Sequence, residues 1–150
     1  MLKGGLREWR EKGYPLEKGQ ALTDLPYAAD GRRLYAQHCS TCHGESGKGV
    51  PGHFPPLRDD PLLAAPDPWG AIYVTLYGLS GRPVAGRQWE ARMGGFARYL
   101  SDTEAAALVS YARAQFVLGA GPVAPSDVAK VRRQVESARA SREASKAIAP

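Results

Sequence analysis

Cys39-Ser40-Thr41-Cys42-His43 constrains this chain more than any other segment, because C-x-x-C-H is the attachment pattern of a c-type haem. Two thiols at that spacing can each form a thioether to a haem vinyl group, and the histidine that follows can turn its imidazole to the iron. These are the only two cysteines in 150 residues, so no disulfide framework competes for them. A thioredoxin-like redox pair would call for a βαβ setting, and a four-thiolate zinc site for a second C-x-x-C. The sequence offers neither. The pattern therefore predicts one covalently held haem c per chain and a fold that encloses a flat, largely apolar group.

Composition agrees with such a wrapper. A chain of 150 residues suits one domain with attachments, and its 43% hydrophobic content fills a modest core that a haem would extend. Seventeen glycines and twelve prolines predict many loops. The formal charge of +5 admits an acidic protein partner, an anionic membrane or nucleic acid. Two haem propionates would lower that charge, which argues against nucleic acid. No apolar run reaches the roughly 18 residues of a membrane-spanning helix, so no transmembrane segment is expected. The start, Met1-Leu2-Lys3-Gly4-Gly5, lacks the apolar stretch of a secretory signal. Covalent haem attachment nevertheless implies a periplasmic or otherwise extracytoplasmic location, so the chain reads as a mature or trimmed form.

Three segments follow from the punctuation of the chain: residues 1–27, a compact domain over 28–121, and a helical extension over 122–150. In the first, Gly4-Gly5, Trp9 and Gly13-Tyr14-Pro15 resemble the closing segment of a rhodanese-type sulfurtransferase domain. The catalytic loop of such a domain would lie upstream, so the segment reads as a stub and not as a catalyst. In the second, Asp30 is expected to cap a helix Gly31–His38, and residues 44–61 to form a Gly- and Pro-rich loop over one haem face. Asp67-Pro68 is expected to open a helix Trp69–Tyr77 that stops at Gly78, with Trp69, Ile72, Tyr73, Leu76 and Tyr77 in the core. Ser101-Asp102-Thr103-Glu104 is a capping box, opening a helix to about Val117 with Leu108, Val109, Tyr111, Ala112 and Phe116 on its apolar face. Beyond the linker 119–125, Ser126 is expected to cap a charged helix strapped down by Val128, Val131 and Val135. A small strand pair is expected around Val84–Trp89.

A haem iron held by one histidine needs its sixth position explained. The candidates are Met93, His53, His38 or an open site. Met93 is the one internal methionine, fifty residues beyond His43 and so free to reach the opposite face, with Gly94 and Gly95 allowing close backbone approach. A thioether there raises the potential, as electron carriers require. His53, in Pro51-Gly52-His53-Phe54, reads as a surface residue, and His38 directly precedes Cys39 on the wrong side of the ring.

With these residues in order, the chain resembles a class I cytochrome c, and most nearly the thermophile-type soluble cytochromes c. The likeness rests on C-x-x-C-H, on 49–57 (GVPGHFPPL), on Leu76-Tyr77-Gly78-Leu79 and on Met93-Gly94-Gly95-Phe96. The resemblance implies an all-α fold, three to five helices wrapped around one haem, with a C-terminal helical extension. It implies that Gly31 and Tyr35 cross Leu108 and Tyr111, that His43 and Met93 ligate iron, and that the Pro55 carbonyl accepts a bond from the His43 ring. Trp89, with Arg87 or Arg92, is implied to stabilise a haem propionate. Gly94 departs from the family, many of whose members have proline there, which leaves the stiffness of the Met93 loop to be explained. The function implied is a monomeric, non-enzymatic one-electron carrier. Its partners would be redox proteins such as a haem-copper oxidase or a sulfur-compound dehydrogenase, docked near Arg58, Arg82, Arg87 and Arg98. Two alternatives stand beside it: the haem subunit or domain of a sulfite- or thiosulfate-oxidising enzyme, and a ligand sensor or peroxidase with an open sixth site.

Overall fold

The structure is a computed structural model that describes residues 28–80, 83–84 and 86–148. The rhodanese-like pattern of residues 2–16 and Arg82 lie outside the described residues. Helices dominate: α1 (Ala28–His38), α2 (Ser40–His43), α3 (Pro61–Ala64), α4 (Trp69–Tyr77), α5 (Asp102–Phe116) and α6 (Pro125–Ile148). Among the described residues, β pairing is confined to isolated bridges, Val50 with Phe54, Leu79 with Met93 and Val84 with Arg87. The strand pair expected at Val84–Trp89 thus shrinks to one bridge, because the chain turns back at Gly86, where φ is 73°.

Local chemistry sets most helix ends. Ser101 Oγ accepts the Glu104 N–H at 3.1 Å while the Glu104 carboxylate accepts the Ser101 N–H at 2.9 Å, the reciprocal pair that starts α5. Asp67 accepts the Trp69 N–H at 2.9 Å at the head of α4, and Gly78, at φ 79°, ends it. Two expected caps are corrected. α1 already includes Ala28 and Ala29, so Asp30 lies within its first turn, where its charge suits the helix dipole, and does not cap it. α6 begins with Pro125 in place of a Ser126 cap; the Asp127 carboxylate accepts the Ala124 N–H at 2.8 Å.

α1 crosses α5 where side chains are smallest. A Cβ on Gly31 would collide with the Ala107 carbonyl oxygen and with Tyr111 Cβ. The helices therefore touch backbone to backbone, and Tyr35 tilts against Tyr111 at 5.5 Å and Phe116 at 5.2 Å. The small partner is Ala107, one residue before the expected Leu108. Gly31→Ala should force the pair apart and destabilise the fold by about 1–3 kcal/mol, read as a lower thermal midpoint; an unchanged midpoint would mean that the crossing tolerates a methyl group.

The core joins Leu34, Ile72, Leu76, Leu108 and Val109 to Val128 and Val131 of α6, so one apolar cluster underlies the domain and its extension. Trp69, expected inside, sits at the rim: it stacks on Tyr73 at 5.0 Å and donates its indole N–H to Gln134 of α6 at 2.6 Å. α4 thus turns its aromatic side toward α6. Nothing in the sequence pattern announces Arg113, which is only 2% exposed. Its guanidinium donates to the carbonyls of Gly121 (2.7 Å), Leu63 (2.8 Å) and Ala65 (2.9 Å), pinning α3 and the linker after α5 to one point.

Candidate haem site

α1 runs into the attachment motif almost without a break. The Cys39 N–H donates to the Tyr35 carbonyl and the His43 N–H to the Cys39 carbonyl, both at 2.9 Å, so α2 is one further turn on the end of α1. Cys39, Cys42 and His43 all line a cavity of about 200 Å³ whose other walls are mainly apolar, among them Leu57, Leu63, Val74, Leu79 and Val109. Both thiols are free. Burial first, and then the neighbouring Cys42, push the Cys39 thiol up to about 12. A disulfide-exchange nucleophile needs the opposite, a depressed thiol pKa, so burial turns Cys39 away from that role.

His43 is 8% exposed, and its Nδ1 lies 2.9 Å from the Pro55 carbonyl oxygen. A carbonyl only accepts, so the ring hydrogen belongs on Nδ1 and the lone pair on Nε2. Among the described residues Nε2 has no hydrogen-bond partner. Burial lowers the His43 pKa, opposed in part by the Pro55 bond, which favours the neutral ring that a metal requires. The Pro55 loop is itself hung from the motif: Gly49 N–H donates to the His43 carbonyl at 2.8 Å, and the Tyr35 hydroxyl holds the Gly44 carbonyl at 2.6 Å.

Met93 lines the same cavity from a different part of the chain. Its N–H and carbonyl pair with Leu79, each bond 3.0 Å long; then Phe96 N–H donates to the Thr75 carbonyl at 3.0 Å and Ala97 N–H to Leu76 at 2.9 Å. Two of these bonds stitch the loop to the C-terminal half of α4 and two to Leu79 just beyond it, and together they supply the stiffness that a proline at 94 would otherwise give. Gly95 serves this contact, since a Cβ there would press on the Leu76 carbonyl at 2.5 Å, whereas a Cβ at Gly94 would meet open space. The glycines were expected to approach the cofactor; Gly95 instead approaches α4.

Of the remaining sequence candidates, Trp89 and Arg92 line the cavity and Arg87 does not. The Trp89 indole N–H donates to the Val84 carbonyl at 3.2 Å, a partner within its own loop. His53 is kept out of the cavity and pairs with the Glu90 carboxylate at 2.7 Å on the surface. His38 contributes to the lining and packs its ring against Phe96 at 5.2 Å. Sequence reading passed over Asp60, which also reaches the cavity and accepts the Leu62 and Leu63 N–H groups at 2.9 and 3.1 Å. Asp60-Pro61 carried the signal, an N-cap followed by a proline at the first helical position.

The residues present fit a covalently held haem. Two free thiols, a buried imidazole nitrogen without a partner and a thioether share one apolar cavity. A cytochrome c family model matches residues 28–115. The chain is 37% identical over 113 residues to cytochrome c-552 of Thermus thermophilus, covering 69% of this chain and 85% of that protein. It is also 34% identical over 103 residues to the cytochrome c subunit of the quinone alcohol dehydrogenase of Gluconobacter oxydans (strain 621H), covering 68% of this chain and 22% of that subunit. With the motif, the helical wrapper and these similarities in agreement, the chain belongs to the cytochrome c family, whose members carry covalently bound haem c.

Proposed function

We propose that this haem electron carrier has no open iron site: Cys39 and Cys42 would anchor the haem through thioethers, and His43 and Met93 would both bind its iron. The observation that carries the reading is the meeting of His43, with its free Nε2, and Met93 in one cavity. When bound, haem supplies a one-electron ferric–ferrous couple. The chain's own residues do the rest. Pro55 fixes the plane of the His43 ring and makes it a better donor. Leu79, Leu76 and Thr75 hold the Met93 loop so that little has to move when the charge changes. Leu57, Leu63, Val74 and Val109 exclude water, and Arg92 is the cation offered to a propionate. No general acid, base or nucleophile is required.

Electrons would pass at the cofactor edge beside the thioethers, with the exposed Arg58, Arg87 and Arg98 steering an acidic partner. A dehydrogenase as electron donor is supported by the similarity to a quinone alcohol dehydrogenase cytochrome subunit. A sulfite or thiosulfate dehydrogenase is the donor that residues 2–16 suggest, and a haem-copper oxidase is the proposed acceptor. Because thioether attachment precedes function, the proposed location is extracytoplasmic; no helix among the described residues is long and apolar enough to cross a membrane.

A visible spectrum tests the ligand set. The ferric protein should show the weak far-red band of methionine-to-ferric-haem ligation, and the ferrous protein should resist carbon monoxide. No such band together with ready carbon monoxide binding would replace the carrier with the sensor or peroxidase reading. Reduction by a sulfite or thiosulfate dehydrogenase faster than by a quinol-oxidising complex would select the sulfur donor.

A further inference from the structure

The extension helix α6 reaches back to the loop that carries Met93 through one side chain. Arg132 is largely covered and uses three of its nitrogens: Nε donates to the Asp102 carboxylate at 2.8 Å, Nη1 to the Ala97 carbonyl at 2.9 Å and Nη2 to the Leu100 carbonyl at 2.6 Å. Ala97 and Leu100 close the turn that leads from Met93 into α5, with Tyr99 and Leu100 N–H groups bonded to the Phe96 carbonyl at 2.9 and 3.1 Å. On its inner side this turn is bonded to α4 through Phe96 and Ala97. On its outer side Arg132 fills both carbonyls. The planar fork suits this task, since it spans several acceptors with little freedom to lose.

We propose that Arg132 is a positioning residue for the sixth iron ligand. It locks the C-terminal end of the Met93 loop, so the extension restrains the motion by which Met93 would leave its place in the cavity. The inference rests on the assignment of Met93 as a ligand. Val128 and Val131, buried beside Arg132 on α6, anchor the helix from which the fork reaches out. An outside ligand that must displace a methionine binds in proportion to the population in which the loop has swung away. Loosening the loop therefore appears as tighter binding.

The test is an imidazole titration of the intact ferric holoprotein, followed through the far-red methionine band. Arg132→Ala should raise imidazole affinity about tenfold or more, the change expected when the loop loses part of its restraint. Arg132→Lys, which keeps the charge and loses the fork, should lie between the variant and the parent, and remains informative if Arg132→Ala does not fold. Lys130→Ala, on an exposed position of the same helix, should match the parent. If both Arg132 variants unfold more easily in denaturant yet bind imidazole as the parent does, Arg132 is only structural and the proposal is overturned. Failure of the ligand assignment is separate, because the parent protein would then lack the methionine band.

Discussion

Met93→Ala is expected to lower the reduction potential by on the order of 0.1–0.2 V, a fraction of the roughly 0.8 V over which axial ligands tune haem proteins. A thioether is a soft, neutral donor that favours the ferrous state; without it, a harder oxygen ligand or none favours the ferric state. The loop itself should survive the change, because its four bonds, two to Leu79 and two to α4, come from backbone groups whose donors lie at positions 79, 93, 96 and 97. Ferrous carbon monoxide binding should appear and the far-red ferric band disappear. Spectroelectrochemistry checks both. An unchanged potential would transfer the sixth position to another group, and His38, which shares the cavity lining, would be examined next.

The second large effect is expected at Arg113. Arg113 is 2% exposed and its guanidinium is bonded to three backbone carbonyls; burial lowers its pKa and Asp67 opposes the shift. Arg113→Ala removes a costly buried charge, but it orphans three carbonyls and opens a cavity where α3, α5 and the following linker meet. The carbonyls alone cost about 1–3 kcal/mol each when left without partners. After allowance for the relieved desolvation and for some water entry, a net loss of about 3 kcal/mol is expected. That corresponds to a fall of roughly 6–12 °C in the thermal midpoint for a chain of this size. Arg113→Met tests the cause: it refills most of the volume but bonds no carbonyl, so it should recover only part of the loss. Full recovery would show that packing, and not the three bonds, is what Arg113 contributes.

The contrast between these two residues explains what could be read in the sequence. Met93 stood out because a haem motif demands a ligand and the chain has one internal methionine. Ser101, Glu104 and Gly78 were equally legible, since caps act over three or four residues and leave their partners within sight. Arg113 and Arg132 were not, because a guanidinium that binds backbone carbonyls leaves little to notice: Arg113 bonds only carbonyls, and the one carboxylate that Arg132 meets, Asp102, lies thirty residues away. Their acceptors lie at Leu63 and Ala65 for one and at Ala97 and Leu100 for the other, segments joined only by folding. The reason for Gly95 was hidden in the same way: its neighbour is the Leu76 carbonyl, an atom every residue possesses. Trp89 was read as a cavity residue and does line the cavity, but its bond to the Val84 carbonyl could not be read, for the same reason.

The crossing of α1 on α5 has a consequence in time. Gly31 needs Ala107 and Tyr111 as its floor, yet those residues lie far along the chain. A chain synthesised from its N-terminus presents Cys39, Cys42 and His43 well before the helix that covers them exists. Loop closure over such a span is the slow, entropically costly step of assembling so non-local a contact. Until it occurs, both thiols stand in water as ordinary, reachable cysteines. A domain closed by so distant a backbone-to-backbone contact would therefore pass through an interval of open access, in which the two thioethers could be made before the pocket exists.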